Sequence, residues 1–228
     1  MEDEHQFTCF DDCDRCCTNE TAPVSITIGD MVRISKHLDI TIEELFQKYC
    51  DIDGIELPAP YYNIFPILGL KLPCKFLENS RCTIYNHRPL FCRVFPEDLI
   101  LNPLYGEEKQ MYIDTGYKCV IKDFKVDADH IKVIEKLVDI MDQEIETGGE
   151  YFNLYDYDSK FSEEDNALFM EIAEKAKGEK EFKEAFRLKQ ERTRIARERV
   201  KAKGGEEILE SVKKLSKEKD LEKYDLLK

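Results

Sequence analysis

The residues best suited to chemistry in this chain are its cysteines. Cys9, Cys13, Cys16 and Cys17 stand close together in "FTCFDDCDRCC", and Cys74, Cys82, Cys92 and Cys119 follow at wide intervals. Eight sulfurs make two sets of four, the number taken by a tetrahedral zinc ion or by an iron–sulfur cluster. A two-residue gap, as between Cys13 and Cys16, lets both thiolates face one concavity while the backbone N–H groups between them hydrogen-bond to sulfur. The side chains of adjacent Cys16 and Cys17 diverge, so the two are expected to serve different centres. The later four must be gathered by tertiary structure. Cys50 stands apart and reads as a buried, inert thiol.

A thiolate, not a thiol, ligates metal. Four thiolates around Zn²⁺ or a [4Fe–4S]²⁺ core leave a net double negative charge. Residues 1–175 hold 17 Lys+Arg against 36 Asp+Glu, so two such centres need local cations. Arg15, Lys75, Arg81, Arg93 and Lys118 each adjoin one of the eight cysteines. At an effective dielectric near 20 and about 5 Å, each offers at most about 3 kcal/mol. Arg88 and Arg93 are read as cations around the sulfur ligands or as an anion site, with surface or hairpin-anchoring salt bridges as the competing use.

Composition narrows the classes. The net charge of −14 argues against general nucleic-acid binding, which needs cationic surface. No apolar run reaches membrane-spanning length. The segment "MEDEHQFTCF" is acidic and lacks the apolar stretch of a secretory signal, so the expected location is cytoplasmic. In a reducing compartment clustered cysteines favour metal binding, and structural disulfides remain the alternative use. No Gly-rich phosphate loop, Ser-His-Asp order or HExxH is present. The carboxylates are too numerous to single out a catalytic base. His87 is read as a non-ligand, since eight cysteines already fill two sets.

The elements that must position these sulfurs follow from pattern. Thr27 or Asp30 caps a helix through Leu38, and "TIEE" at 41–44 is a capping box opening a second helix that buries Leu45 and Phe46. Prolines 58, 60, 66 and 73 exclude a long helix over 57–73, and "YYNIFPILGL" is expected to be extended. "CKFLENSRCTIY" predicts a β-hairpin that brings Cys74 and Cys82 together, and a short helical turn carries Cys92. "KQMYIDTGYKCVI" predicts another strand pair turning at "DTG". From Asp127 an amphipathic helix presents Ile131, Ile134, Leu137, Val138, Met141 and Ile145, with Gly148-Gly149 as its stop. "SEED" at 162–165 caps a further helix. Residues 180–202 are helix-compatible and mostly charged, and a last helix is expected over 206–216.

The expected fold class is therefore α+β. A cysteine-rich, metal-stapled domain with β-hairpins spans 1–178, with its cysteine core at 7–122 and covering helices at 127–178. A charged helical extension follows at 179–228. Residues 176–228 hold 17 basic and 12 acidic residues and no cysteine. Such a stretch reads as a solvated face or as an arm that binds a protein partner.

C-x3-C-x2-C also suggests radical S-adenosylmethionine enzymes, but Arg15 replaces the aromatic that commonly precedes the last cysteine, and the long βα succession of those enzymes is missing. A closer resemblance lies elsewhere. "FTCFDDCDRCC", "PCKFLENSRCTIYNHRPLFCRVFP" and "YKC" resemble the CxxCxxCC family of zinc- or iron-chelating proteins, often described as containing iron–sulfur clusters. The likeness runs roughly from 7 to 122, and "IGDMVRISKHLDITIEELFQKY" looks like the family's linker. The resemblance implies all eight clustered cysteines as ligands of a [4Fe–4S] cluster or of zinc. One branch resembles flagellin lysine N-methylases, which implies S-adenosylmethionine as a further cofactor and protein methylation as an activity. Two departures stand out: three residues separate Cys9 from Cys13 where the family has two, and Arg15 occupies a position usually held by glycine.

Overall fold

The computed structural model describes residues 14–18, 24–56, 64–101, 110, 112–113, 116–117, 119, 128–154, 167, 171, 175 and 178–227. The fold is α+β, with helices and, among the described residues, two small two-stranded sheets. It divides into two compact units, each assembled from separated stretches. One comprises Met1–Asp51, Gly69–Gly148 and Lys213–Lys228, and the other Ile52–Leu68 and Gly149–Val212. Charge changes sign near residue 178, yet Lys213–Lys228 belongs to the unit that holds the cysteines.

In the cysteine-bearing unit, α1 is the single turn Arg15–Thr18. Helix α2, Ile28–Leu38, opens on Thr27, whose hydroxyl accepts from Asp30 N–H while the Asp30 carboxylate accepts from Thr27 N–H. Both expected caps are thus the two halves of one capping box. Asp39, in the left-handed region at φ 54°, ends the helix and returns its N–H to Lys36 and Ser35 carbonyls. The predicted box at Thr41 and Glu44 opens α3, Ile42–Tyr49, which buries Ile42, Leu45 and Phe46. Strands β1, Cys50–Glu56, and β2, Ile64–Leu70, pair with one another. Residues 57–63 lie outside the described residues. Ser25 and Gly69 form an antiparallel bridge, and Leu70 N–H donates to Val24 C=O at 2.8 Å, which lays the approach to α2 along the end of β2.

A second hairpin joins β3, Leu77–Glu78, to β4, Arg81–Cys82, in the register Leu77↔Cys82 and Glu78↔Arg81. Asn79 at φ 50° and Ser80 at φ 60° form its two-residue turn, whose twist matches the strands. After a 3₁₀ turn at Tyr85–His87, α4, Leu90–Val94, carries Cys92. Its Leu90 and Val94 pack on Ile140 and Met141 of α5, Ala128–Tyr151.

Three expectations fail for physical reasons. Gln110, Tyr112 and Ile113 are helical, so the segment is not a strand pair. Tyr117 N–H donates to Tyr112 C=O and Gly116 N–H to Ile113 C=O, both at 3.0 Å, with Gly116 at φ 90°. That is a Schellman ending, so the glycine read as a hairpin turn closes a helix instead. Gly148-Gly149 does not stop α5. A Cβ at Gly148 would lie 3.5 Å from Ile28 Cβ, so the missing side chain lets the helix pass close to the start of α2. The expected helix at 206–216 is the last part of α6, Glu179–Leu215, which runs through Gly204-Gly205. A Cβ at Gly205 would meet nothing, so that glycine costs helix propensity of about 1 kcal/mol without breaking the helix. Only toward its C-terminal end does α6 show a fully buried stripe, Ile208, Val212 and Leu215, among its described residues. The expected "SEED" cap lies outside the described residues.

Glu144 falls on the apolar face of α5, between Met141 and Gly148, and is 0% exposed. Arg33 of α2 bonds both its oxygens, at 2.7 and 2.8 Å, and also reaches Asp30 at 2.6 Å and Asp225 at 2.8 Å. Thr27 Oγ1 and Leu226 N–H complete the Glu144 carboxylate. Burial opposes the charge of Arg33, but hydrogen bonds and charges from Glu144 and Asp30 outweigh it and hold the guanidinium above its ordinary pKa. A Cβ at Gly29 would sit 2.2 Å from this carboxyl group. Four donors hold Glu144 in place, so Gly29→Ala is expected to destabilise the protein by about 3 kcal/mol, read by urea unfolding.

Candidate metal centre

One helical turn separates the two neighbouring cysteines by direction. Asp14 C=O accepts from Cys17 N–H at 2.9 Å and from Thr18 N–H at 3.0 Å, which fixes α1. Successive residues on a helix point about 100° apart. The Cys16 side chain accordingly meets Cys119, while that of Cys17 meets Cys74. The backbone reinforces the second pairing, since Cys74 N–H donates to Cys17 C=O at 2.7 Å.

Cys74 leads into the hairpin. Its sulfur accepts from the Cys17 thiol and from the N–H groups of Phe76 and Leu77. Leu77 N–H also bonds Cys74 C=O at 3.1 Å, and Thr83 N–H returns to Phe76 C=O at 2.8 Å. Phe76 is buried and stacks on Tyr49 at 4.4 Å, which anchors the hairpin to α3. Cys82 ends β4, and its charge and that of Cys92 both act on Cys17. Cys92 in turn responds to Cys74 and Cys82. Cys17, Cys74, Cys82 and Cys92 therefore share one neighbourhood. Cys119 is buried with Leu99 and Tyr117, and Cys16, Phe95 and Tyr112 pack on that cluster. Cys92 and Cys17 also act on Cys16, so the two neighbourhoods adjoin. Cys9 and Cys13 lie outside the described residues.

The two arginines divide their work. Arg88 is buried, its guanidinium 4.0 Å from the Tyr85 ring centroid, and its Nε donates to Cys92 C=O at 3.1 Å. Its charge favours a Cys92 thiolate. Arg93 donates to Arg88 C=O at 3.0 Å and Asn86 C=O at 2.5 Å, so it braces the backbone leading into α4. The His87 ring lies against that of His37, with centroids 3.9 Å apart and planes tilted by 30°. Burial, His37 and Arg93 together depress the His87 pKa.

Protonation is uneven. Cys17 holds its proton because it donates to Cys74, because it is partly buried, and because Cys74, Cys92 and Cys82 are nearby anions when ionised. Cys16 is pushed up in the same way by its bond to Cys119. Burial leads the upward shift of Cys92. Cys74, receiving three hydrogen bonds, is lowered to about 7. Cys50 is pushed up to about 12 by burial, in keeping with an inert role. In metal-free protein at pH 7.5 a short iodoacetamide pulse should therefore label Cys74 ahead of Cys17 and leave Cys50 untouched, as read by peptide mass spectrometry.

Among the described residues, no three His, Cys, Asp or Glu side chains are arranged to hold a metal ion as they stand. Two pairs of sulfurs, Cys16 with Cys119 and Cys17 with Cys74, are joined by hydrogen bonds. Their chemistry suits a thiophilic metal: sulfur donors, backbone N–H groups aimed at Cys74, and a buried guanidinium beside Cys92. Loading must displace protons, so affinity should rise with pH. The buried Arg33–Glu144 network beside this region was not anticipated, although a carboxylate on the apolar stripe of α5 was its visible sign.

Residues 8–120 match the family model described as "Putative zinc- or iron-chelating domain", CxxCxxCC. No solved structure matches the chain. The matched span contains every cysteine discussed above, and residues 8–120 belong to the CxxCxxCC family of zinc- or iron-chelating domains.

Proposed function

We propose that this protein carries two iron–sulfur centres of the [4Fe–4S] type and works in electron transfer or cluster-assisted chemistry. One centre would be held by Cys17, Cys74, Cys82 and Cys92. The other would take Cys16 and Cys119, with Cys9 and Cys13 as its remaining ligands. The single observation that carries this reading is the parting of adjacent Cys16 and Cys17 toward different partners. A cluster, when bound, supplies reversible one-electron chemistry. The chain's own part is to supply thiolates, direct the Phe76 and Leu77 N–H groups at Cys74, and set Arg88 beside Cys92. Both effects favour extra negative charge at that centre and so ease its reduction.

The reading places the protein in the cytoplasm. No helix among the described residues is long and apolar enough to cross a membrane. The charged length of α6 is assigned to a protein partner, supported by exposed Arg187, Glu191, Arg194 and Glu198.

Anaerobic purification followed by iron, zinc and sulfide analysis and electron paramagnetic resonance tests the proposal. Iron with matching acid-labile sulfide and a signal on dithionite reduction is the expected result. Stoichiometric zinc without sulfide would replace it with a redox-silent staple. Colourless, metal-free protein after iron–sulfide reconstitution would overturn the iron–sulfur reading.

A further inference from the structure

We infer that Asp30 and the segment Asp225–Leu227 are positioning elements for Cys92, gripping the short helix that carries it from two sides. The inference rests on the reading of Cys92 as a ligand.

Helix α4 has five residues and no side-chain cap of its own, because its N-cap is Pro89. A helix so short is not stable by itself, and its first N–H groups need acceptors from elsewhere. Asp30 of α2 supplies one, accepting from Leu90 N–H at 3.0 Å. The same Asp30 oxygen takes Arg33 at 2.6 Å. Arg33 extends the chain of contacts to Asp225 at 2.8 Å, and Leu226 N–H donates to Glu144 at 3.0 Å. Leu227 then joins the apolar cluster of Leu90, Val94, Ile140 and Met141. One stretch of chain therefore reaches the Cys92 helix twice: through a polar relay to its first N–H, and through the apolar cluster that contains its Leu90 and Val94. Asp225 also accepts from Leu227 N–H at 3.2 Å, which sets the turn that delivers the leucine. The path from Asp225 to Leu90 passes through groups that are almost wholly buried, so it is shielded from solvent screening.

The test uses the full chain carrying Asp225→Ala or Leu227→Ala, with Asp225→Glu as the conservative control. In metal-free protein, pulse alkylation is read at each cysteine separately. Both disruptive variants should label Cys92 about 10-fold faster, while buried Cys50 stays protected and reports that the unit is still folded. In loaded protein, a chelator should extract metal from the Cys92 centre roughly 10- to 100-fold faster, the usual scale for lost support around a ligand. Asp225→Glu should restore slow labelling. Unchanged Cys92 labelling, or Cys92 and Cys50 rising together, would overturn the inference. Should wild-type protein take up no metal, the ligand reading fails by itself, and the metal-free labelling still decides whether these elements position Cys92.

Discussion

Replacing Cys17 with serine is expected to empty one metal centre and leave the other loaded, and Cys16→Ser is expected to do the reverse. The two residues are neighbours in sequence, share one helical turn and are both half-buried. A generic effect on folding would therefore strike both variants alike. Their partners differ, however: Cys119 for one, Cys74 for the other. Metal analysis should show about half the wild-type content in each single variant and none in the double. The energetic effect should be large, because metal bound by ligands that only the folded chain brings together contributes its binding free energy to folding. Domains of this size carry only about 5–15 kcal/mol in total. Cys17→Ser should therefore lower the thermal midpoint by roughly 10 °C or more. Loss of all metal in either single variant would mean that the sulfurs serve one centre.

The second large effect concerns Arg33→Met. The guanidinium is the cation among Asp30, Glu144 and Asp225, and Glu144 and Asp30 are almost wholly buried. Methionine fills similar volume but leaves buried carboxylates uncompensated, which costs about 3–5 kcal/mol at neutral pH. The pH dependence follows from Asp30. Burial raises its pKa, and the Arg33 charge and Thr27 N–H only partly offset that rise. A raised carboxyl pKa contributes stability that is fully present below the unfolded value and lost as pH rises through the folded one. Removing Arg33 raises the Asp30 pKa further, so the variant should lose stability relative to wild type as pH climbs from 5 to 7. Urea unfolding at both pH values measures this. An equal deficit at pH 5 and pH 7 would show that the loss comes from packing and not from charge.

The same two sites show what pattern can and cannot reveal. The capping boxes at Thr27 and Thr41 were legible because a cap is a local bargain between residues three apart. The hairpin before Cys82 was legible for a similar reason, since its two-residue turn joins strands that are adjacent in the sequence. The segment around Gly116 was misread because a glycine at positive φ serves a hairpin turn and a helix ending equally well. Gly148 was misread because its value lies in closeness to Ile28, a residue far away along the chain. Glu144 and Arg33 were overlooked together, since neither is unusual until the other is placed against it.

By itself, the order of residues determined that this is a cysteine-rich α+β protein of a metal-chelating kind, and that adjacent Cys16 and Cys17 must face apart. Those conclusions depend on residue type and on spacing within one turn, where backbone geometry leaves little choice. Tertiary structure alone decided which distant sulfur each of them meets, and that Asp30, paired with Arg33, accepts from the first N–H of the Cys92 helix. Such contacts join residues dozens of positions apart, and only the packing of whole elements brings them within reach of a hydrogen bond.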